Sequence, residues 1–214
     1  MTEIATCLTV ETIEAFQALM RNYGKFSKRF HVDVSDGQFA PTNLLPIDQM
    51  TFPQGVKVDF HLMVSQPSQY LNQLINLRPY TVIFHAECSE DLTLQIQALR
   101  SAGIRAGLAF LKKTVPKNKY ELIKQVDHIM VFSGDLGRYG GTADMLQLEK
   151  VRLIRKIRPN VEIGWDGGAS IDNVFRLKRG GVDVINVGGA LSNSNDPMAV
   201  YNQMVNEINR QGVI

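Results

Sequence analysis

The stretch Phe30-His31-Val32-Asp33-Val34-Ser35-Asp36-Gly37 decides how the rest of the chain is read. In an extended segment residues i and i+2 point to the same side. His31 and Asp33 therefore project together, while Val32 and Val34 turn to the opposite, apolar side. A β-branched run that places an imidazole and a carboxylate on one face and then breaks at glycine reads as a strand with chemistry at its C-terminal end. The same design recurs at Asp59-Phe60-His61-Leu62-Met63, at Phe84-His85-Ala86-Glu87 and at Trp165-Asp166-Gly167-Gly168. The chain has four histidines, and three of them (His31, His61 and His85) fall at such ends.

Working outward, eight short apolar runs read as strands: 4–9, 29–34, 56–64, 80–86, 104–111, 128–133, 161–165 and 182–187. Most intervals between them read as helices. Ile13, Phe16, Leu19 and Met20 are spaced helically within 11–22; 67–77 opens on Pro67, which suits a helix start; and 92–102 stops at Gly103. Further helices are expected over 118–125, 145–157, 171–179 and 197–211. The interval 39–54 carries three prolines and is expected to be mostly loop with one short helix. Strands alternating with helices imply right-handed βαβ units and a parallel sheet. Eight units favour a closed (β/α)8 TIM barrel over an open doubly wound sheet. No Pro/Gly/Ser-rich linker divides the chain, so residues 1–214 are expected to form one domain.

Composition is consistent with that fold and excludes several classes. With 44% hydrophobic residues, 21% charged residues and a net charge of +2, the chain is not disordered. The balanced charge gives no case for nucleic-acid or anionic-membrane binding. Cys7 and Cys88 form no C-x-x-C pair, which speaks against a disulfide framework or a cysteine zinc site. Neither a signal peptide nor a membrane-spanning run is visible, and a cytoplasmic protein is expected.

In a barrel the active site lies at the C-terminal ends of the strands. There His31, Asp33, His61 and Asp166 would meet, and two imidazoles with two carboxylates suit one divalent metal such as Zn, Mn or Fe(II). Any one of these residues alone reads more simply as a buried, hydrogen-bonded polar group; together, at matched strand ends, they favour the metal. Gly167-Gly168 follows strand seven and Gly188-Gly189 follows strand eight, in the two loops where such barrels hold phosphate. Glycine lets backbone N–H groups approach an anion closely. The loop after strand six, Gly134 to Gly141, ends in Gly140-Gly141 and can close over a ligand.

Read in order, His31-x-Asp33-x-x-Asp36-Gly37, Asp59-x-His61-Leu-Met63, Phe84-His-Ala-Glu87, Gly103-x-x-Ala-Gly-Leu-Ala109, Val126-Asp127 and Trp165-Asp-Gly-Gly168 resemble the ribulose-phosphate 3-epimerase family, in register over nearly the whole chain. The resemblance implies a ribulose-phosphate-binding barrel with metal ligands at His31, Asp33, His61 and Asp166. It implies acid/base residues at Asp33 and Asp166, and phosphate contacts that include Gly167, Gly168, Gly188 and Gly189. The implied reaction interconverts D-ribulose 5-phosphate and D-xylulose 5-phosphate through an enediolate, with a homo-oligomer as the expected assembly. Inversion at a carbon beside a ketone requires one group to remove a proton and another to return one to the opposite face. Asp33 and Asp166, on strands two and seven, can flank a substrate, one protonated and one ionised. Met63 is expected to give the intermediate an apolar contact or simply to pack in the core.

Several positions depart from the family pattern. Cys7 stands where a substrate-contacting serine is usual, and a thiol is the weaker hydrogen-bond partner. Ser35 replaces a methionine. The strand-six loop, 132–141, is one residue longer, lacks a proline and gains Arg138 and Tyr139. Trp165 is bulky where a small residue is common, and by parity it should pack outward against the helices. Gly188-Gly189 replaces Gly-Ser. An intact acid and metal set under an altered cover admits a hexulose 6-phosphate, such as allulose 6-phosphate, as an alternative substrate. A non-catalytic sugar-phosphate-binding barrel is a further alternative. A decarboxylase or lyase of the orotidine-phosphate type is disfavoured, because 59–64 offers His61 where that class carries lysine.

Overall fold

The computed structural model describes residues 2–138 and 140–211. Eight parallel strands close into a barrel in sequential order, β1 to β8, with β1 pairing β8. They are β1 Glu3–Leu8, β2 Arg29–Ser35, β3 Lys57–Met63, β4 Thr81–His85, β5 Arg105–Phe110, β6 His128–Phe132, β7 Glu162–Asp166 and β8 Val184–Val187. All eight expected strands are present, with no end shifted by more than two residues. β7 runs to Asp166 because that residue pairs with Phe132 of β6.

The helices are α1 Ile13–Tyr23, α2 Leu71–Leu77, α3 Thr93–Ser101, α4 Tyr120–Gln125, α5 Leu148–Ile157, α6 Val174–Arg179, α7 Gly189–Ser192 and α8 Pro197–Asn209. Three expected helices, those over 67–77, 118–125 and 145–157, begin instead as 3-10 turns. Two of those turns hold a proline in their first turn, where a missing N–H costs nothing. The helix expected from 171 begins only at Val174. Residues 39–54 contain one short 3-10 turn, Ile47–Gln49. α7 has no counterpart among the expected helices, because four residues after a glycine pair carry no readable helical period.

Alternation along each strand sorts side chains between two cores. Phe30, Val32 and Val34, with Phe60, Phe84, Leu108, Ile163 and Trp165, face the helices and build the main apolar layer. Trp165 is fully buried there, as parity requires, and its indole N–H donates to the Gly167 carbonyl at 3.0 Å. The interior takes the other parity. It carries a small apolar plug of Ile83, Ala109, Met130 and Phe132, with polar layers above and below it. Among the described residues, no helix is long and apolar enough to cross a membrane.

Candidate active site

β2 and β3 run in register, so Asp33 lies beside His61 and His31 beside Asp59. Together with Asp166 at the end of β7, this brings His31, Asp33, His61 and Asp166 to one place at the mouth, with one ligand atom from each within 4.8 Å of the others. The two carboxylates reach a cavity of about 550 Å³, while both imidazoles lie beneath them, fully buried. Asp59 shares the face of His61 but sits one layer deeper, where its carboxylate meets the Arg29 guanidinium at 2.6 Å.

Within the quartet, His61 Nδ1 is 2.8 Å from Asp33 Oδ1. His31 Nε2 lies 3.3 Å from Asp33 Oδ1 and 3.8 Å from Asp166 Oδ2, yet neither of its ring nitrogens has a hydrogen-bond partner. A buried imidazole normally pairs both nitrogens. A buried His31 nitrogen without a partner, set beside two carboxylates and a second imidazole, is a cation-binding donor set, so these residues fit a divalent metal with two nitrogen and two oxygen donors.

Electrostatics divide the two acids. Burial disfavours charge on Asp33, but the adjacent imidazoles of His31 and His61 prevail and hold its carboxyl well below the usual range. Burial pushes the Asp166 carboxyl up and the nearby Asp33 charge adds to this, with His31 opposing. His61 is pushed down to about 3 by burial and by its neighbours His85 and His31, against the pull of Asp33. His31 is raised, since Asp33 and Asp166 outweigh its burial.

The cavity wall holds every other residue expected from the sequence: Cys7, Met63, Gly140, Gly141, Gly167, Gly168, Gly188 and Gly189. Burial, with Asp166 and Asp33 close by, pushes the Cys7 thiol up, so it faces the cavity as a neutral group. Met63 packs with Ala40 and Leu44 while bordering the cavity, which combines both of its expected roles. The glycines carry a structural duty as well. A Cβ at Gly168 would lie 2.1 Å from the Ala143 nitrogen, and one at Gly167 would lie 2.2 Å from the Gly134 nitrogen. Both residues adopt positive φ. The loop after β7 thus lies directly against the loop after β6, and Gly189 in turn lies against Gly140. Arg138 lines the cavity; Tyr139 lies outside the described residues.

Sequence reading missed three residues. The Thr9 hydroxyl donates to Asp33 Oδ2 at 2.5 Å; its position two residues beyond Cys7 was the available signal. Asn186, two residues before Gly188 on β8, lines the cavity. His85 was noted at a strand end but given no role, and its Nε2 lies 2.8 Å from His61 Nε2.

The fold and the site define a (β/α)8 barrel with a metal-ready acid pair and glycine-walled loops at its mouth. A sequence model of the ribulose-phosphate 3-epimerase family matches residues 7–192. The chain belongs to that family of carbohydrate isomerases. It is 32% identical to the ribulose-phosphate 3-epimerase of Mycobacterium leprae over 178 residues, 79% of each chain. It is 30% identical to that of Schizosaccharomyces pombe over 196 residues, 88% of this chain and 85% of the relative. In fold it is similar to 3-hexulose-6-phosphate synthase from Salmonella typhimurium, with a TM-score of 0.73, 17% identity, and coverage of 97% of this chain and 98% of that one. It is also similar in fold to KGPDC from Streptococcus mutans, with a TM-score of 0.72, 10% identity and coverage of 98% of each chain.

Proposed function

We propose that this protein is a metal-dependent 3-epimerase of a ketose phosphate, interconverting D-ribulose 5-phosphate and D-xylulose 5-phosphate. The observation that carries the reading is the cluster of His31, Asp33, His61 and Asp166, of which the two carboxylates alone open onto the cavity. Family membership supports the substrate class.

Asp33 and Asp166 act as the acid/base pair. They approach the cavity from β2 and β7, and their environments drive them apart, one toward the ionised form and the other toward the protonated form. That asymmetry suits removal of the C3 proton on one face and delivery of a proton to the other. Thr9 holds the Asp33 carboxylate in place through Oδ2. His31, Asp33, His61 and Asp166 hold the divalent ion, of the Zn, Mn or Fe(II) class, which when bound supplies positive charge to stabilise the enediolate. Gly167, Gly168, Gly188 and Gly189 receive the phosphate, supported by their place in the wall of the same cavity. Binding energy from that distant group orients the reacting carbon. The barrel and its helices account for Glu3 to Asn209, which supports reading the chain as one domain.

The test is proton exchange in D2O, followed by NMR, with metal-loaded protein and a series of C5 and C6 ketose phosphates. Exchange at C3 of D-ribulose 5-phosphate with appearance of the xylulose epimer is expected. Exchange only with hexulose 6-phosphates would reassign the substrate, which the altered strand-six loop makes a specific rival. No exchange with any ketose phosphate would leave a binding protein.

A further inference from the structure

We propose that His85 and Glu87 form a positioning relay that fixes the tautomer of His61, so that Nδ1 presents a bare lone pair to the divalent cation. The relay rests on the metal-site reading above and extends it one layer outward, to two residues without an assigned role.

The direction of donation is set from the outside inward. Glu87 sits just beyond the end of β4, and its Oε1 accepts the Leu111 backbone N–H at 3.0 Å. Its Oε2 lies 3.3 Å from His85 Nδ1. An ionised carboxylate only accepts, so His85 must donate from Nδ1. In a neutral imidazole the other nitrogen is then an acceptor. His85 Nε2 faces His61 Nε2 at 2.8 Å, so His61 must donate from Nε2. That leaves His61 Nδ1 without a hydrogen, 2.8 Å from Asp33 Oδ1. Two acceptors at that separation repel unless a cation is shared between them, and the ligand atoms of His31 and Asp166 lie within reach of the same point.

The relay is also held rigidly. His85 is 1% exposed. Phe39 packs against its ring at a tilt of 37° with centroids 4.7 Å apart, and Phe132 meets it edge-on at 5.8 Å. A ligating histidine whose second nitrogen is fixed by an outer partner is oriented and more basic, and loss of such partners weakens metal binding about 10- to 100-fold.

The experiment measures Zn(II) affinity of the full chain by competition with a chelator, for wild type, His85→Phe and His85→Gln. Phenylalanine keeps the ring between Phe39 and Phe132 but cannot accept from His61; glutamine can accept through Oε1. The expected result is about 10- to 100-fold weaker Zn(II) binding in H85F, with partial recovery in H85Q and unchanged melting of the metal-free proteins. Equal affinity in wild type and H85F would overturn the relay while leaving the metal site standing. A wild type that binds no Zn(II) would overturn both. Should H85F fail to fold, 15N NMR of the histidine rings in Zn(II)-loaded wild type decides: His61 protonated at Nε2 and not at Nδ1 supports the relay, and the reverse refutes it.

Discussion

The interior of this barrel carries ionisable side chains at both ends, and the two ends treat them differently. At the floor, Arg29 is 1% exposed, yet its guanidinium meets Asp59 at 2.6 Å, Glu162 at 2.9 Å and Glu3 at 3.1 Å. His128 Nδ1 adds a contact to Glu162 at 2.7 Å. Lys57 pairs with Glu3 and Arg105 pairs with Glu162, so three cations balance three carboxylates. The Tyr80 ring lies within 5.2 Å of the charged groups of Arg29, Lys57 and Arg105. At the mouth, the ion-pair contacts of Asp33 and Asp166 among the described residues are to histidines alone, and neither ring nitrogen of His31 has a hydrogen-bond partner. The floor is charge-balanced by arginine and lysine of the chain itself, whereas the mouth sets its carboxylates against imidazoles, a donor set that suits a cation. Buried carboxylates that meet no Lys or Arg are costly, and here they lie at the C-terminal ends of the strands, the functional face of such a barrel.

Three substitutions test this contrast. Asp166→Asn or Asp33→Asn should cut epimerisation about 10²- to 10⁴-fold, the usual contribution of a positioned acid or base. Circular dichroism should show the barrel intact. Undiminished turnover in either variant would sink the two-carboxylate mechanism. Arg29→Met should do the opposite, costing about 3–5 kcal/mol of stability because it strands buried carboxylates. The remaining folded fraction should keep its turnover per molecule. Urea unfolding measures the loss, and an unchanged midpoint would show that the floor is not a stability device.

The smallest effect concerns acid sensitivity at Glu162. Burial opposes its charge, but His128 and Arg29 prevail and hold its carboxyl well below its ordinary value of 4.5. A depressed folded value means that the stabilisation is fully present above 4.5 and drains away as pH falls toward the folded value. Glu162→Gln should therefore be less stable than wild type near pH 7, with the gap closing below about pH 4.5. Urea midpoints across that range check it, and a gap independent of pH would contradict the charge argument.

Much of this was legible along the chain. The period of two in β2 and β3 announced which residues share a face, and the recurrence of polar groups at strand ends located the mouth. The glycine pairs were placed in the correct loops, although their identity also answers to packing: the loop after β7 touches the backbone of Gly134 and Ala143, a contact between segments with no sequence signal. α7 escaped because it is four residues long. Thr9, Asn186 and the tie from His61 to His85 escaped because each depends on which neighbouring strand a side chain faces.

By itself, the sequence determined the number of strands, their parity, the barrel class and the four residues of the candidate metal cluster. These follow from local alternation and from residue type. Only the tertiary structure decided the layer each residue occupies. Asp59 and His61 share a strand and a face, yet the register against β2 sets one beside His31 and the other beside Asp33. One carboxylate is therefore neutralised by Arg29 at the floor, while the imidazole two residues away is left facing the site. Whether a buried charge finds its counter-ion within the chain is a property of that three-dimensional register, and here it separates the residues that hold the barrel together from those available for chemistry.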